Sequence, residues 1–154
     1  MNKRVLCLLI LCGFQYLSAQ SIAVLKYNGG GDWYSNPTAL KNLIQFCNSN
    51  IQSVINAKPE TVDVGSEAIF EYPYLHMTGH GNVEFSESES KNLRTYLLGG
   101  GFLHIDDNYG MDPYVRVAMK KVFPELDKNK KVFLVYRHRF STFMGISIAI
   151  LLTN

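Results

Sequence analysis

The sequence predicts an α/β fold, a parallel sheet with helices on both faces. Three observations carry this expectation. Apolar runs of strand length alternate with segments of helical periodicity, no hairpin dipeptide joins one run to the next, and three runs stop in glycine-rich or polar loops. The architecture expected from that alternation is flavodoxin-like, in which ligands bind outside the carboxyl ends of the strands.

Residues 21–27 read as the first strand, almost continuously apolar as buried parallel strands are. Gly29, Gly30 and Gly31 break it, and a helix is expected with Asn36 as cap, Pro37 in the first turn and a stripe of Leu40, Leu43, Ile44 and Cys47. An exposed connection leads to a short strand at 61–64 and a short helix capped by Ser66. The next strand, 72–78, is stopped by Gly79, His80 and Gly81. Ser86 and Glu89 then form a capping box, opening a helix that buries Leu93, Tyr96 and Leu97 and stops at a left-handed Gly99. Residues 102–105 make the third well-marked strand, Asp112 and Pro113 cap a further helix bearing Val115, Ala118, Met119 and Val122, and Pro124 ends it.

With 154 residues, 47% of them hydrophobic, the chain can build one domain with a real core. Its boundaries are read as a leader at 1–19, an α/β domain at 20–127 and a divergent tail at 128–154. Lys3 and Arg4, an apolar run at 5–14, and the small residues Ser18 and Ala19 have the order of a signal peptide cleaved after Ala19. Gly13 and Gln15 interrupt the run short of the roughly 20 apolar residues a membrane anchor needs. The expected product is secreted or periplasmic, with no stable membrane span after cleavage. Of three cysteines, Cys7 and Cys12 leave with the leader, so Cys47 has no internal disulfide partner and is expected as a buried small hydrophobe.

Residues 20–127 hold 8 basic and 13 acidic side chains, net −5. Nucleic acid is therefore excluded as main partner, since duplex binding needs a continuous basic face. Oligomeric state is not legible.

Three loops leave strand ends, and the topology gathers them on one rim. They carry Asp32, Trp33 and Tyr34; His80 between two glycines; and Asp106, Asp107, Asn108 and Tyr109. These eight are the candidate ligand-binding residues. Gly29, Gly30 and Gly31 lack both the dinucleotide fingerprint and a following Lys-Ser/Thr pair, so they are read as a tight turn beside the sheet edge. His80 could act as a general base, a metal ligand or a hydrogen-bond donor to a ligand. Successive side chains of an extended strand point to opposite faces, so at most one of Asp106 and Asp107 faces a ligand while the other caps a helix or bonds backbone. His104 shares parity with Asp106, and Leu103 and Ile105 share parity with Asp107. His76 is expected to pack under a helix, satisfied by a hydrogen bond. Oxygen-rich groups near His80 would suit a hard divalent ion, but no ligand spacing marks a metal site, and no cofactor is specified. No Gly-x-Ser-x-Gly or Gly-x-Cys-x-Gly elbow is present. The aromatic Trp33, Tyr34 and Tyr109 suit stacking on a sugar or peptide.

Three segments carry a resemblance: residues 25–34, residues 76–81, and residues 100–113 from Gly100 to Pro113. In that order they resemble an exported bacterial family, domain of unknown function 4159, over residues 21 to about 125. That family is similar to the class I glutamine amidotransferase-like fold, so the resemblance implies a flavodoxin-like sheet without implying a reaction. Amidotransferases place a cysteine nucleophile where this chain has Asp106 and Asp107, so glutamine hydrolysis through a thiol is not expected. Related trehalose-utilisation-like proteins share the glycine-histidine-glycine turn and suggest a carbohydrate ligand by fold analogy. The family continues with further strands past the point equivalent to Leu126. Here residues 128–154 turn basic and then apolar, which is read as a fold incomplete at its C-terminus, truncated through a shifted reading frame.

The function expected is binding of a small polar ligand, carbohydrate by analogy, at the C-terminal edge of the sheet. Two alternatives stand beside it: a metal- or acid/base-assisted hydrolase with His80 as base and Asp106 or Asp107 as ligand or acid, and a catalytically inactive amidotransferase-like scaffold for a protein partner.

Overall fold

The computed structural model of the chain describes residues 19–127, 132–137 and 146–152. The expected leader, apart from Ala19, and positions 128–131, 138–145 and 153–154 of the expected tail lie outside the described residues.

Strand β1 (Ile22–Lys26) is followed by helix α1 (Ala39–Asn50), strand β2 (Glu60–Asp63) and a 3-10 turn at Glu67–Glu71. Then come β3 (Tyr74–His80), α2 (Glu87–Leu98), β4 (Phe102–Tyr109) and α3 (Asp112–Val122). A second 3-10 turn (Pro124–Asp127) precedes β5 (Val132–Arg137) and β6 (Ile146–Leu152). The sheet order is β2-β1-β3-β4-β6-β5. The first four strands are parallel, as expected of a flavodoxin-like α/β fold. The chain moves outward from β1 to β2 and then returns past β1 to β3, which puts the topological switch point between β1 and β3. Strand β6 pairs antiparallel with β4, and β5 antiparallel with β6. Only residues 138–145 join β5 to β6, too few for the crossover that a parallel pair requires.

The two faces of the sheet are unequal. Ala23, Leu25, Leu75, Met77, Leu103 and Ile105 meet α2 and α3 in one large cluster that includes Leu93, Tyr96, Val115, Met119 and Phe123. Under α1 there is a small cluster of Ile22, Leu40 and Ile44, flanked by Val24, Ile55 and Tyr74. This narrow seam uses only the i, i+4 row of the expected stripe: Leu43 is exposed and Cys47 half-buried, a correction to the four-residue stripe.

Helix ends show where local signals were and were not decisive. The capping box forms as expected, with the Glu89 backbone N–H donating to Ser86 Oγ (3.2 Å) and the Ser86 N–H to Glu89 Oε2 (2.6 Å). Ser66 caps its 3-10 turn through the Ala68 N–H. Asn36 does not cap α1, which starts at Ala39 without a side-chain cap, because the Asn36 amide is drawn to β3 and β4 instead. Asp112 is not the cap of α3 either; Asp107, at the end of β4, takes that role. Gly99 has an ordinary φ of −74°, and the left-handed residue is Gly100 at φ +96°. No helix among the described residues is long and apolar enough to cross a membrane.

Candidate functional site

At the switch point the loop after β1 meets the end of β3. The Asp32 carboxylate accepts the His80 backbone N–H on Oδ1 and lies 2.9 Å (Oδ2) and 3.2 Å (Oδ1) from His80 Nδ1. Glycine makes this approach possible: a Cβ at Gly79, whose φ is +150°, would run into the Tyr27 hydroxyl and Asp32. At Gly31 it would strike the carbonyls of Asn82 and His80, and at Gly29 the backbone nitrogen of Glu84, so the first and third glycines of the triplet are used for backbone packing. Partial burial alone would raise the Asp32 carboxyl, but the backbone N–H and ring of His80 outweigh it and hold it below the usual carboxylate range. His80 keeps its side chain half-exposed, so Nδ1 is oriented by a carboxylate at the solvent edge.

Strand β4 runs on to Tyr109, so Asp106, Asp107 and Asn108 belong to the strand where a loop was expected. Their parity divides them. Asp107 turns to the α2/α3 side, where Oδ1 accepts the Met111 N–H and Oδ2 the Asp112 N–H, both at 2.9 Å. Asp106 and Asn108 stay on the α1 side with His104. Register sets His76 opposite His104 and Thr78 opposite Asp106. Asn36 Nδ2 donates to Asn108 Oδ1 (2.6 Å) and Thr78 Oγ1 (3.3 Å), and Asn108 Nδ2 donates to Ser35 Oγ (2.9 Å). These bonds tie the loop before α1 across β3 to β4. Below them the rings of His76 and His104 stack with centroids 5.2 Å apart and Nδ1 atoms 3.1 Å apart.

This polar row is electrostatically tense. Burial, with His104 adding to it, pulls His76 down to about 4. Burial also lowers His104, against the opposing charge of Asp106. Burial pushes the Asp106 carboxyl up, against the pull of His104 and with the help of Asp107. His76 was expected to be satisfied by a hydrogen bond, yet only Nδ1 is. Its Nε2 is sealed from solvent and has no partner among the described residues.

His76 helps to line a cavity of about 250 Å³ on the α1 side, whose walls include Trp33, Tyr34, Asn36, Leu40, Glu60 and Thr61. Trp33 and Tyr34 stand edge to face, ring centroids 5.5 Å apart, and the Lys26 ammonium lies 6.0 Å from the Trp33 ring. A larger, more open hollow of about 450 Å³ lies between the start of α2 and Lys121. It contains none of the expected site residues, and its lysines are engaged, Lys91 with Glu87 (2.7 Å) and Lys121 with the Phe85 carbonyl (3.2 Å).

The sequence pattern of the family described as a domain of unknown function (DUF4159) matches residues 21–144. The chain belongs to the DUF4159 family. No curated protein matches it.

In this DUF4159 chain the eight expected residues therefore fall into separate places. Trp33 and Tyr34 wall the cavity, Asp32 and His80 form a pair on the rim, and Asp106 and Asn108 lie in the polar row. Asp107 is spent on α3, and Tyr109 is exposed at the strand end. Sequence reasoning missed Ser35, Asn36, His76 and His104 as members of the assembly. Their signal was present in the shared parity of His76 with Thr78 and of His104 with Asp106. Among the described residues no three His, Cys, Asp or Glu side chains gather to hold a metal ion. What the arrangement offers is hydrogen bonding under an aromatic wall, beside one carboxylate-oriented imidazole.

Proposed function

We propose that the domain binds a small polar ligand of the carbohydrate class in the cavity beside Trp33, with His76 in its lining. The observation that carries this reading is a cavity with aromatic walls lined in part by His76, whose sealed Nε2 has no partner among the described residues. A buried polar atom left unpaired costs about 1–3 kcal/mol, and a ligand hydroxyl that displaces the side chain covering it removes that cost. Trp33 and Tyr34 supply the flat apolar surface that a sugar ring needs, while Asn36 and Thr61 supply polar groups around it. The volume of about 250 Å³ suits a single ring better than a chain of them. The leader-like first 19 residues support export, which would make cell-envelope sugars the class to try first.

Thermal-shift screening against envelope monosaccharides and their amino and acidic derivatives tests this, because a ligand that binds only the folded state raises the melting temperature. At least one sugar is expected to raise it, and Trp33→Ala is expected to abolish the rise while remaining folded. A panel with no response from the folded native chain overturns the reading.

A second reading, acid/base-assisted hydrolysis, is favoured by the Asp32–His80 pair. A carboxylate on Nδ1 fixes ring orientation and leaves the other nitrogen to take a proton from water. In that case Asp32→Asn lowers kcat on a responsive glycan or ester more than it changes KM, and His80→Ala removes turnover while ligand affinity remains.

A further inference from the structure

We propose that His104 selects the tautomer of His76, so that His76 presents a hydrogen-bond acceptor toward the cavity side while His104 is neutral and a donor once His104 is protonated.

The argument starts from two Nδ1 atoms 3.1 Å apart. A hydrogen bond between them contains one proton, so the two neutral rings must be complementary tautomers. If His76 donates, its Nε2 is a bare lone pair; if His104 donates, His76 accepts at Nδ1 and must hold its own proton on Nε2. Because Nδ1 faces β4, the ring turns Nε2 the other way, toward β1, and Val24 of β1 lines the cavity. In the neutral pair the first arrangement wins. An unpaired lone pair in a sealed position costs less than an orphaned N–H, and the N–H placed on Nε2 of the partly exposed His104 has water within reach.

Acid reverses the arrangement. His104 takes one proton from solvent at Nδ1, and that N–H then points at the N–H of His76 Nδ1. The clash is relieved when His76 gives up its Nδ1 proton and gains one on Nε2, its own proton count unchanged. The net uptake of the pair is one proton. His104 is the ring that charges first, being less buried than His76 and two residues from Asp106 on the same face.

The groups facing the pair do not mask this exchange. Tyr74 and Asp106 share the face on β3 and β4, Cys47 comes from α1, and Lys26 of β1 lies on the same face paired with Asp63 of β2 at 3.1 Å. Strand β6 sets Ala149 and Ser147 opposite His104 and Asp106, and neither residue ionises. Of these, Asp106 is the charge that acts on His104.

The inference rests on the proposed cavity for its consequence only. A ligand that presents an ionised carboxylate to Nε2, where it can only accept, would bind more tightly on the acid side, whereas a neutral hydroxyl placed there can donate or accept and would not discriminate.

Nitrogen-15 NMR of the imidazoles in the full chain tests the tautomer with no ligand added. His76 is expected as the Nδ1–H form at about pH 7.5 and as the Nε2–H form on the acid side of the His104 titration, which burial places below the ordinary histidine range. In His104→Gln the pH dependence of the His76 tautomer is expected to vanish, since an amide neither gains nor loses a proton there. Asp106→Asn is expected to move the midpoint to lower pH, and serves as the deciding variant if His104→Gln does not fold. One His76 tautomer throughout the native titration, a switch unchanged in His104→Gln, or an unmoved midpoint in Asp106→Asn overturns the proposal. A sugar that binds while the tautomer stays fixed sinks this inference alone, and a tautomer switch in a chain that responds to none of the sugars screened sinks only the proposed function.

Discussion

The Asp107 carboxylate closes the start of α3 from the end of β4, one oxygen on the Met111 N–H and the other on the Asp112 N–H, both at 2.9 Å. A strand thereby supplies the cap of the helix that follows it. The side chain is buried, so its removal leaves two N–H groups without their acceptor.

Asp107→Ala is expected to destabilise the domain by about 2 kcal/mol, the upper end of the range for a lost cap. Asp107→Asn keeps one acceptor oxygen and should cost less. Urea unfolding monitored by circular dichroism gives both values. A loss below about 0.5 kcal/mol in the alanine variant would contradict the capping role.

Asp32 titrates lower in the folded chain than in the unfolded one. The stability it contributes is therefore present above the ordinary carboxylate range and is lost as pH falls through its folded value. Comparing native and Asp32→Asn chains in denaturant, the stability gap should be open at neutral pH and should narrow on acidification. A gap that widens in acid would have the wrong sign.

His76 has the opposite chemistry and the same direction of pH effect. Held down to about 4 when folded, it takes up a proton on unfolding at any pH between that value and the usual one near 6.5. The unfolded chain binds more protons in that window, so stability rises with pH across it, at up to about 1.4 kcal/mol per unit for one group. His104 is lowered as well and adds in the same direction. Below the folded value the penalty is complete and the His76 contribution levels off. His76→Gln should flatten the stability profile in this window, readable from melting temperatures in a series of buffers.

Asn36 combines a left-handed φ of +57° with a side chain bridging Thr78 and Asn108. Asn36→Gly relieves the backbone and removes only the bridge, whereas Asn36→Ala loses the bridge and adds about 1–2 kcal/mol of backbone strain. Alanine should therefore be the less stable of the two in thermal unfolding, while both loosen the loop carrying Trp33 and reduce ligand affinity alike.

The alternation of strands and helices was legible in the sequence because it is written in local pattern. The Ser86–Glu89 capping box and the opposite facing of Asp106 and Asp107 follow from spacing of a few residues. The His76–His104 contact was not legible, since it depends on the register of β3 against β4, set by packing of the whole sheet. Asn36 misled for a related reason. Next to Pro37 it has every local mark of a cap, and only the arrival of Thr78 and Asn108 from distant strands gives its amide better partners. The sites of Trp33 and Tyr34 were anticipated as a rim, but the cavity beside them needed α1 and β2 in place.

Among the described residues, the α2/α3 side of the sheet packs twenty-one buried residues into one cluster, and the α1 side packs three. The anchoring of the fold and its polar surface are thus carried by opposite sides of the same strands. Alternate positions along β3 and β4 then answer to different constraints, one set to the packing of the large cluster and the other to hydrogen bonds among His76, Thr78, His104 and Asn108 and the loop before α1. Such a sheet can alter the polar side of its strands while its scaffold stays the same.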